Sequence, residues 1–330
     1  MTWTGSRDAL AARHEMTTPD TLPRFSNIEP VTLGADVTIG ISAYGNYETT
    51  QLCLQMLFRS ARGEYELILV DDCSPDNGRT RDLFLGARQQ HARTRVFSFT
   101  KNLEYSGSLN AILSHASGQS VLFLSNDIFV TPFYLTVLLD VIRSNPRFGI
   151  VRGSSNFVDN NGRPTHNIAI ERPIGSGEEL AAAAGKVFAD FGHKTSIDDF
   201  LTGDAFMVSR ALLDRIGTFD PLFFGYFADH DFGLRAQIAG FDLVVAPGAF
   251  AYHRSAANFD YLPKEQQQGK LGRRFMRIFE NWARFKMKYG MPLEMLFEGT
   301  DLIPWKALAA GLFDARKHYS APADYSEYAI

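Results

Sequence analysis

The chain is poor in cysteine and has no long uninterrupted apolar run. It contains 330 residues and only two cysteines, Cys53 and Cys73, which excludes a disulfide framework and a zinc site built from cysteines. We therefore expect a reducing, cytoplasmic location. The most apolar late stretch, residues 121–142, is interrupted by polar and charged residues, and a charge at the centre of a bilayer costs about 3 kcal/mol. We predict no transmembrane helix.

An excess of positive charge is also missing. Lys and Arg total 33 against 37 for Asp and Glu, a net charge of −4, so nucleic acid is not an expected partner. Apolar residues make up 45% and charged residues 21%, which predicts a folded protein with one large α/β domain or two small ones. Residues 1–34 mix charged and small side chains without a signal-type apolar run, and we predict a poorly ordered leader there.

From residue 37 onwards, short apolar runs alternate with segments of helical spacing. This alternation is typical of an α/β fold with a mostly parallel sheet flanked by helices. The runs predict strands over residues 37–43, 65–70, 95–99 and 120–124, with helices over 48–60 and 108–115. Four such strands indicate a nucleotide-binding half.

Polar side chains follow several of these strands directly, namely Tyr44, then Asp71 and Asp72, then Asn126 and Asp127. In open α/β sheets ligands bind beyond the carboxyl ends of the strands, so these residues are candidates for a binding site. The same residue types also cap helices and form turns. Both interpretations stay open on this pattern alone.

The second half is less regular. Ser176 and Glu179 have the spacing of a capping box, which predicts a helix over residues 177–191 that ends at Gly192. A strand is predicted over 205–208, with helices over 211–216 and 229–239. Asp231 and Arg235 are four residues apart and are expected to pair on the last helix.

Residues 260–330 are predicted as an amphipathic helical tail. Between residues 264 and 288 there are eight basic and two acidic residues, a local charge of +6, and aromatic residues recur at helical spacing. One interpretation is a helix that docks on the core through its aromatic side chains. The other is peripheral contact with an anionic membrane at the inner face.

Acids at strand ends, together with a late histidine beside an aromatic residue, suggest a metal-assisted nucleotide site. The order of segments over residues 36–259 resembles the inverting family 2 glycosyltransferases, which have the GT-A fold. The resemblance is carried by the following segments: Val37 to Asn46, Val70-Asp71-Asp72-Cys73-Ser74, Asn102 to Asn110, Ser125-Asn126-Asp127, Phe223 to Arg235 and Tyr252-His253. Glu104 stands where that family usually has glycine, and Ala228 replaces a leading glutamate.

The resemblance implies a role for each matched residue. Asp229 would be the catalytic base, and Asp127 and His253 would hold Mn²⁺ or Mg²⁺. The donor would contact a larger set: Ser42, Tyr44, Asp71, Asp72, Asn102, Asn110, Asn126 and Asp204. Residues 35–130 would form the nucleotide-sugar half and residues 131–259 the acceptor half.

The implied function is metal-dependent, inverting transfer of a sugar from a nucleoside-diphosphate sugar to a hydroxyl group, in polysaccharide or glycoconjugate synthesis. A UDP- or dTDP-sugar is the favoured donor, because Asp72 suits a pyrimidine imide. A glycan, a lipid-linked sugar and a protein are all open as acceptors, and the sequence predicts no oligomeric state.

Two alternatives remain at this level. A sugar nucleotidyltransferase also uses a metal and a doubly wound sheet, although its glycine-rich signature does not occur around residues 37–46. A non-catalytic carbohydrate-binding or scaffold protein could keep the same fold, and the substitutions at Ser125, Glu104 and Ala228 favour that view.

Overall fold

The computed structural model describes residues 29–157, 168, 174–254, 264–297, 303–310 and 325–330. Residues 1–28 of the predicted leader lie outside this range. Within the remainder of the predicted leader, strand β1 (Val31–Leu33) pairs in parallel with β3 (Ala61–Gly63). Residues 31–33 therefore form a strand, contrary to the predicted poorly ordered leader.

The first half of the main sheet is parallel throughout. Its strands lie in the order β5-β4-β2-β6, and their bounds are β2 (Val37–Ala43), β4 (Glu66–Asp71), β5 (Thr94–Ser98) and β6 (Ser120–Ser125). All four predicted strands are confirmed to within a residue or so at each end. Because the strands are parallel, their carboxyl ends meet at one edge.

The second half of the sheet is mixed. Strand β10 (Ala205–Ser209) runs antiparallel between β6 and β8 (Phe148–Ser155), and β11 (Asp242–His253) is parallel to β8. Two short strands, β7 (Ile128–Phe129) and β9 (Ser196–Asp198), pair with β11. The apolar pattern did not predict β8 or β11, because β8 carries the buried Arg152 and β11 contains a register shift between Val245 and Phe250.

Helices cover both faces of the sheet. Within the described residues they are α1 (Tyr47–Ser60), α2 (Arg79–Gln90), α3 (Glu104–His115), α4 (Pro132–Ser144), α5 (Gly177–Phe191), α6 (Arg210–Ile216), α7 (Ala228–Ile238), α8 (Lys264–Tyr289) and α9 (Trp305–Ala310), followed by a 3₁₀ helix at Tyr325–Tyr328. The capping box of α5 is confirmed, since the Ser176 side chain accepts from the Glu179 amide. Helix α3 begins four residues before its predicted start at residue 108.

Two apolar clusters sandwich the sheet. One includes side chains of α1, α2, α4 and α5, and the other includes side chains of α3, α6, α7 and α8. Trp282 and Phe285 of α8 are only 3% and 0% exposed, and burying such a side chain stabilises the fold by about 2 to 3 kcal/mol. Docking of this helix on the core is confirmed. No helix among the described residues is long and apolar enough to cross a bilayer.

The last six residues cover the outer edge of β5. Ala329 forms an isolated bridge with Phe97, the amide of Ile330 donates to the Val96 carbonyl, and Tyr325 stacks on Phe99. An uncovered edge strand would offer its backbone to other chains. The C-terminal segment thus closes this edge and brings Tyr325 toward the strand ends described next.

Candidate functional site at the carboxyl ends of the strands

The carboxyl ends of β4, β2 and β6 lie side by side at one edge of the sheet. Tyr44 follows β2 there and is partly exposed, whereas Asp72 after β4 and Asp127 after β6 are buried. Strand order reverses direction at this point, which is where α/β sheets form a ligand crevice. The arrangement offers an aromatic surface between two buried acids.

The two acids at the carboxyl end of β4 already have partners within the protein. Asp72 accepts from the Leu103 amide at 2.6 Å, and burial raises its pKa to about 8. Asp71 accepts from the Ser74 amide and from the Ser98 hydroxyl, and burial raises its pKa as well. Both carboxyl groups therefore organise the loops after β4 and β5, whereas the Tyr44 side chain beside them is partly exposed.

Four other residues were predicted to contact the sugar-nucleotide donor, and they occupy different environments in the structure. Ser42 lies near the end of β2 and is half-buried, and Asn102 is exposed and accepts from the Glu104 amide. Asn126 is buried and donates to Thr50 in α1. The amide of Asn110 is bonded at both ends to the backbone of Phe219 inside the fold. The prediction that Asn110 contacts the donor receives no support from this geometry, because its side chain fixes the loop after α6.

Glu104 has a left-handed backbone, with φ of 60°. A glycine adopts this conformation without strain, whereas a residue with a Cβ does not, which explains why glycine suits this position. Glu104 forms an ion pair with Arg277 of α8. The loop before α3 is therefore tied to the C-terminal helix.

Asp127 and His253 meet at the end of the sheet. The distance from Asp127 Oδ2 to His253 Nε2 is 3.5 Å, although the two residues are 126 positions apart. The pairing of β7 with β11 sets this approach, since Ile128 lies opposite His253. On the other side of the ring, His253 Nδ1 lies 3.0 Å from the Phe157 carbonyl.

This environment fits a cation. We assign the imidazole proton to Nδ1, because the Phe157 carbonyl can only accept, and Nε2 then faces the Asp127 carboxylate as a second acceptor. A ring held by a carbonyl on one nitrogen with its other nitrogen beside a carboxylate is a typical metal-ligand arrangement. Two ligands of one octahedral Mg²⁺ lie about 3 Å apart, close to the separation observed.

The described residues do not form an all-protein metal cage, since no group of three or more His, Cys, Asp or Glu side chains among them could hold an ion. Two protein ligands suit a cation whose remaining ligands are phosphate oxygens and water, as is common for Mg²⁺. The donor set therefore fits a divalent ion that is bound together with a diphosphate.

Asp204 adjoins this pair. Its Oδ2 lies 3.8 Å from His253 Nδ1, and its Oδ1 lies 3.1 Å from Nη2 of the buried Arg152. Arg152 and Asp204 form an ion pair, and the geometry at Asp204 Oδ1 is not that of a good hydrogen bond. Sequence reasoning missed Arg152, because a buried arginine inside a strand gives no local motif.

Asp229 lies in the first turn of α7 and reaches the same cluster through Gly203, the residue before Asp204. Its Oδ2 accepts from the Gly203 amide and its Oδ1 from the His230 amide, both at 3.0 Å. Tyr105 donates to the Gly203 carbonyl at 2.7 Å, and burial first, then Asp229, raises the pKa of Tyr105 well above its usual value. The structure thus brings Asp127, Asp204, Asp229 and His253 together in one chain of contacts.

Gly203 is required for this packing. A Cβ at this position would lie 2.9 Å from the Cβ of Asp229 and closer still to the hydroxyl of Tyr105. Real Cβ contacts are not that short, so any larger residue would displace Asp229 or Tyr105. The glycine fixes how closely α7 approaches the strand end.

Asp231, two residues after Asp229, faces the opposite way. It is fully buried and binds Arg235 at 2.9 Å, which confirms the predicted pair. Lys288 and the Tyr289 hydroxyl of α8 also contact Asp231, at 2.5 and 2.7 Å, and Lys288 reaches Asp220 as well. The helix with the candidate base is therefore attached to the C-terminal helix by a buried network of charges.

Arg254 is a further functional candidate that sequence reasoning missed. Its amide donates to the Asp127 carbonyl, and its guanidinium lies 3.2 Å from the Thr49 hydroxyl in the first turn of α1. The backbone of Arg254 thus adjoins Asp127, and its positive side chain lies at the N-terminal turn of α1. Its place directly after His253 was the available signal.

A family model described as Glycosyl transferase family 2 matches residues 38–217, which is more than half of the 330 residues. No curated protein sequence matches the chain significantly. The fold is similar to that of mannosyltransferase PcManGT from Pyrobaculum calidifontis in complex with GDP-Man and Mn²⁺, with a TM-score of 0.53 and 18% identity over 89% of this chain and 80% of that chain.

It is also similar to GalNAc-T7 with UDP, GalNAc and Mn²⁺, with a TM-score of 0.54 and 12% identity over 77% of this chain. The match spans 48% of that chain, so about half of its length has a counterpart here. Identities this low show the fold alone, and that fold is GT-A. The mixed, mostly parallel sheet predicted from the sequence is confirmed.

Proposed function

The chain belongs to glycosyl transferase family 2, and from this premise we propose that it is a metal-dependent, inverting glycosyltransferase that moves a sugar from a nucleoside-diphosphate sugar to a hydroxyl acceptor. The observation that carries the proposal is the chain of contacts that joins Asp127 to His253, His253 to Asp204, and the neighbouring Gly203 to Asp229. A glycosyltransferase is favoured over the sugar nucleotidyltransferase and the non-catalytic scaffold, because the family model matches residues 38–217.

Asp127 Oδ2 and His253 Nε2 would hold a divalent cation, Mn²⁺ or Mg²⁺. When bound, such an ion neutralises negative charge that builds on the leaving diphosphate. The carbonyl of Phe157 keeps the imidazole in the tautomer that ligation needs. Arg254, which follows His253 and is held by Thr49, would add a positive charge to this end of the sheet, and charge placed before the reaction needs no reorganisation during it. PcManGT and GalNAc-T7 were both solved with Mn²⁺, which supports a metal at this position.

Asp229 would accept the proton of the acceptor hydroxyl as that oxygen attacks the anomeric carbon. Two backbone amides hold its carboxylate in one rotamer while its side chain keeps some exposure, at 13%. A base must lie within hydrogen-bond reach of the proton it takes, and a fixed, accessible carboxylate meets this need. Asp127 and Asp204 face His253 and Arg152, so Asp229 is proposed as the single base, and attack opposite the leaving diphosphate would invert the anomeric centre.

We propose a UDP- or dTDP-sugar as donor, with the pyrimidine beside Tyr44 and Asp72. PcManGT was solved with GDP-Man and GalNAc-T7 with UDP and GalNAc, so the fold accepts both base types and the choice is made locally. This placement of the pyrimidine is supported by position, because Tyr44 and Asp72 follow neighbouring strands at one edge of the sheet. The acceptor would be a glycan, a lipid-linked sugar or a protein hydroxyl, and the reaction would serve polysaccharide or glycoconjugate synthesis.

The proposed location is the cytoplasm. Cys53 and Cys73 are both unbridged, which suits a reducing compartment.

The test is product formation with a panel of UDP-, dTDP- and GDP-sugars, read by mass spectrometry, with chelator and with Mn²⁺ or Mg²⁺ added back. We expect release of nucleoside diphosphate from a pyrimidine donor, loss of turnover in chelator and recovery with metal. Pyrophosphate release, or silence with every donor, would contradict the proposed reaction. Full activity in chelator would remove Asp127 and His253 as metal ligands while leaving the transferase itself in place.

A further inference from the structure

Helix α8 presents two apolar surfaces, and within the described part of the chain only one of them packs on the core. Ile278, Trp282, Phe285 and Tyr289 pack on the core beside α7. Phe275, Met276, Phe279 and Met287 are instead 53%, 61%, 58% and 64% exposed. Four large apolar side chains exposed along one helix need an explanation beyond the packing of the domain.

Helical geometry places these four exposed residues together. Successive residues turn by about 100°, so Phe275, Phe279, Met276 and Met287 fall within an arc of about 120° on one side of α8. We call this surface the exposed apolar arc. Leu293 and Leu296, just beyond the helix, are also strongly exposed. The buried residues lie on a different arc, so the exposed apolar arc is a second apolar face of α8.

The net charge of residues 264–288 indicates what kind of surface the exposed apolar arc contacts. Residues 264–288 carry eight basic and two acidic residues, or +6, and the remaining chain has 25 basic against 35 acidic residues, or −10. Within the fold Lys288 pairs with Asp220 and Asp231, and Arg277 pairs with Glu104, yet the segment keeps a net positive charge. An anionic surface therefore attracts this segment and repels the rest of the molecule, which favours one orientation. Basic residues near an anionic bilayer contribute about 1 kcal/mol each. Two copies that met through α8 would instead bring two positively charged segments together.

We propose that α8 is a membrane-docking helix, in which the exposed apolar arc enters the headgroup region of an anionic bilayer and the net positive charge of residues 264–288 is attracted to its phosphates. Interfacial helices combine an apolar face of this width with basic residues in the same way. Docking would also position the candidate site. Lys288 and Tyr289 bind Asp231 of α7, and they lie about 14 Å along the helix axis from Phe279.

The test uses the full chain with vesicles of phosphatidylcholine alone and vesicles that also contain phosphatidylglycerol. We expect sedimentation with the anionic vesicles only, weakened by added salt. In the triple variant Phe275→Gln, Met276→Gln, Phe279→Gln, partitioning should fall at least about tenfold, because three buried apolar contacts with lipid are removed. Glutamine keeps helix propensity, and circular dichroism and thermal unfolding check the fold. The matched control is Ile197→Gln, an exposed apolar residue of β9 at 60% exposure, which should bind like the wild type.

Three results would overturn the proposal: no binding of the wild type to anionic vesicles, equal binding by the triple variant, or a wild-type dimer in light scattering that the triple variant disperses. The last result would assign the exposed apolar arc to a second copy of the chain. Vesicle binding is measured without donor, and sugar transfer is measured without vesicles. Failure of the docking proposal is therefore distinguishable from failure of the proposed enzymatic function.

Discussion

The side of α7 that faces the strand ends and the side that faces α8 each carry an acid, and the two acids are held in different ways. Asp229 is fixed by two backbone amides and keeps part of its side chain accessible. Asp231 is fully buried among Arg235, Lys288 and Tyr289. The partly accessible carboxylate of Asp229 suits the proposed base, whereas the buried carboxylate of Asp231 joins two helices through cations.

Residues 229–231 thus combine two roles: Asp229 belongs to the candidate site, and Asp231 anchors α8. His230, between the two acids, is buried and its Nδ1 lies 2.8 Å from the Leu201 carbonyl. Three successive side chains thus attach the first turn of α7 to the residue-203 loop, to residue 201 and to α8. The position of Asp229 depends on all three attachments, although only the first belongs to the site itself.

The largest effect is expected for the free energy of unfolding, from a substitution on the side of α7 that faces α8. Lys288→Met would leave Asp231 and Asp220 buried together with one cation fewer, and removing one partner from a buried ion network costs about 3 to 5 kcal/mol. Urea unfolding should show this loss. The matched control is Arg143→Met, which removes the exposed pair with Asp36 and should cost less than about 1 kcal/mol. If Lys288→Met were as stable as this control, α8 would not be anchored through Asp231.

On the site-facing side, Asp229→Asn should lower kcat by about 100-fold or more, the scale of a lost general base, while unfolding stability changes by less than about 1 kcal/mol. The amide oxygen of asparagine can still accept from Gly203. Steady-state kinetics and urea unfolding give the two readouts, with the exposed Asp190→Asn of α5 as control. Turnover near the wild-type value would remove Asp229 as the base.

A smaller effect is expected from displacing Asp229 without changing it. Gly203→Ala places a methyl group against Tyr105 and Asp229, and a small misplacement of a catalytic group lowers the rate. We expect kcat to fall about tenfold. Tyr105→Phe removes the hydroxyl nearest the new methyl group, so the double variant should be more active than Gly203→Ala alone. Additive losses in the double variant would show that the two residues do not share this contact.

The smallest effect concerns the loop that α8 holds through Arg277. Glu104→Gly and Glu104→Gln both remove the ion pair with Arg277, but only glycine relieves the left-handed backbone at this position. The glycine variant should therefore be more stable than the glutamine variant by about 1 kcal/mol in thermal unfolding. Equal stabilities would mean that the backbone at residue 104 carries no strain.

The region that faces the strand ends was far more predictable from the sequence than the contact between α7 and α8. The parallel strands and their polar ends were predictable because buried parallel strands are short apolar runs that stop at turn residues. The motif around Asp229 located α7, and i to i+4 spacing gave the pair of Asp231 with Arg235. The partners of Asp231 in α8 are more than fifty residues away, and no local pattern joins Lys288 to an acid at that separation. The buried Arg152 and the clamp of Tyr105 on Gly203 were missed for the same reason, since each depends on tertiary contacts.

The proposed mechanism requires one site for the cation and the diphosphate, in which Asp127 binds the cation and Asp229 accepts the proton of the acceptor. Isothermal titration of UDP with and without Mn²⁺, into the wild type, Asp127→Asn and Asp229→Asn, tests this division most directly. We predict that the wild type and Asp229→Asn bind UDP with the same Mn²⁺ dependence, and that Asp127→Asn binds at least about tenfold more weakly and loses that dependence. Unchanged Mn²⁺-dependent binding in Asp127→Asn, or its loss in Asp229→Asn, would contradict the account.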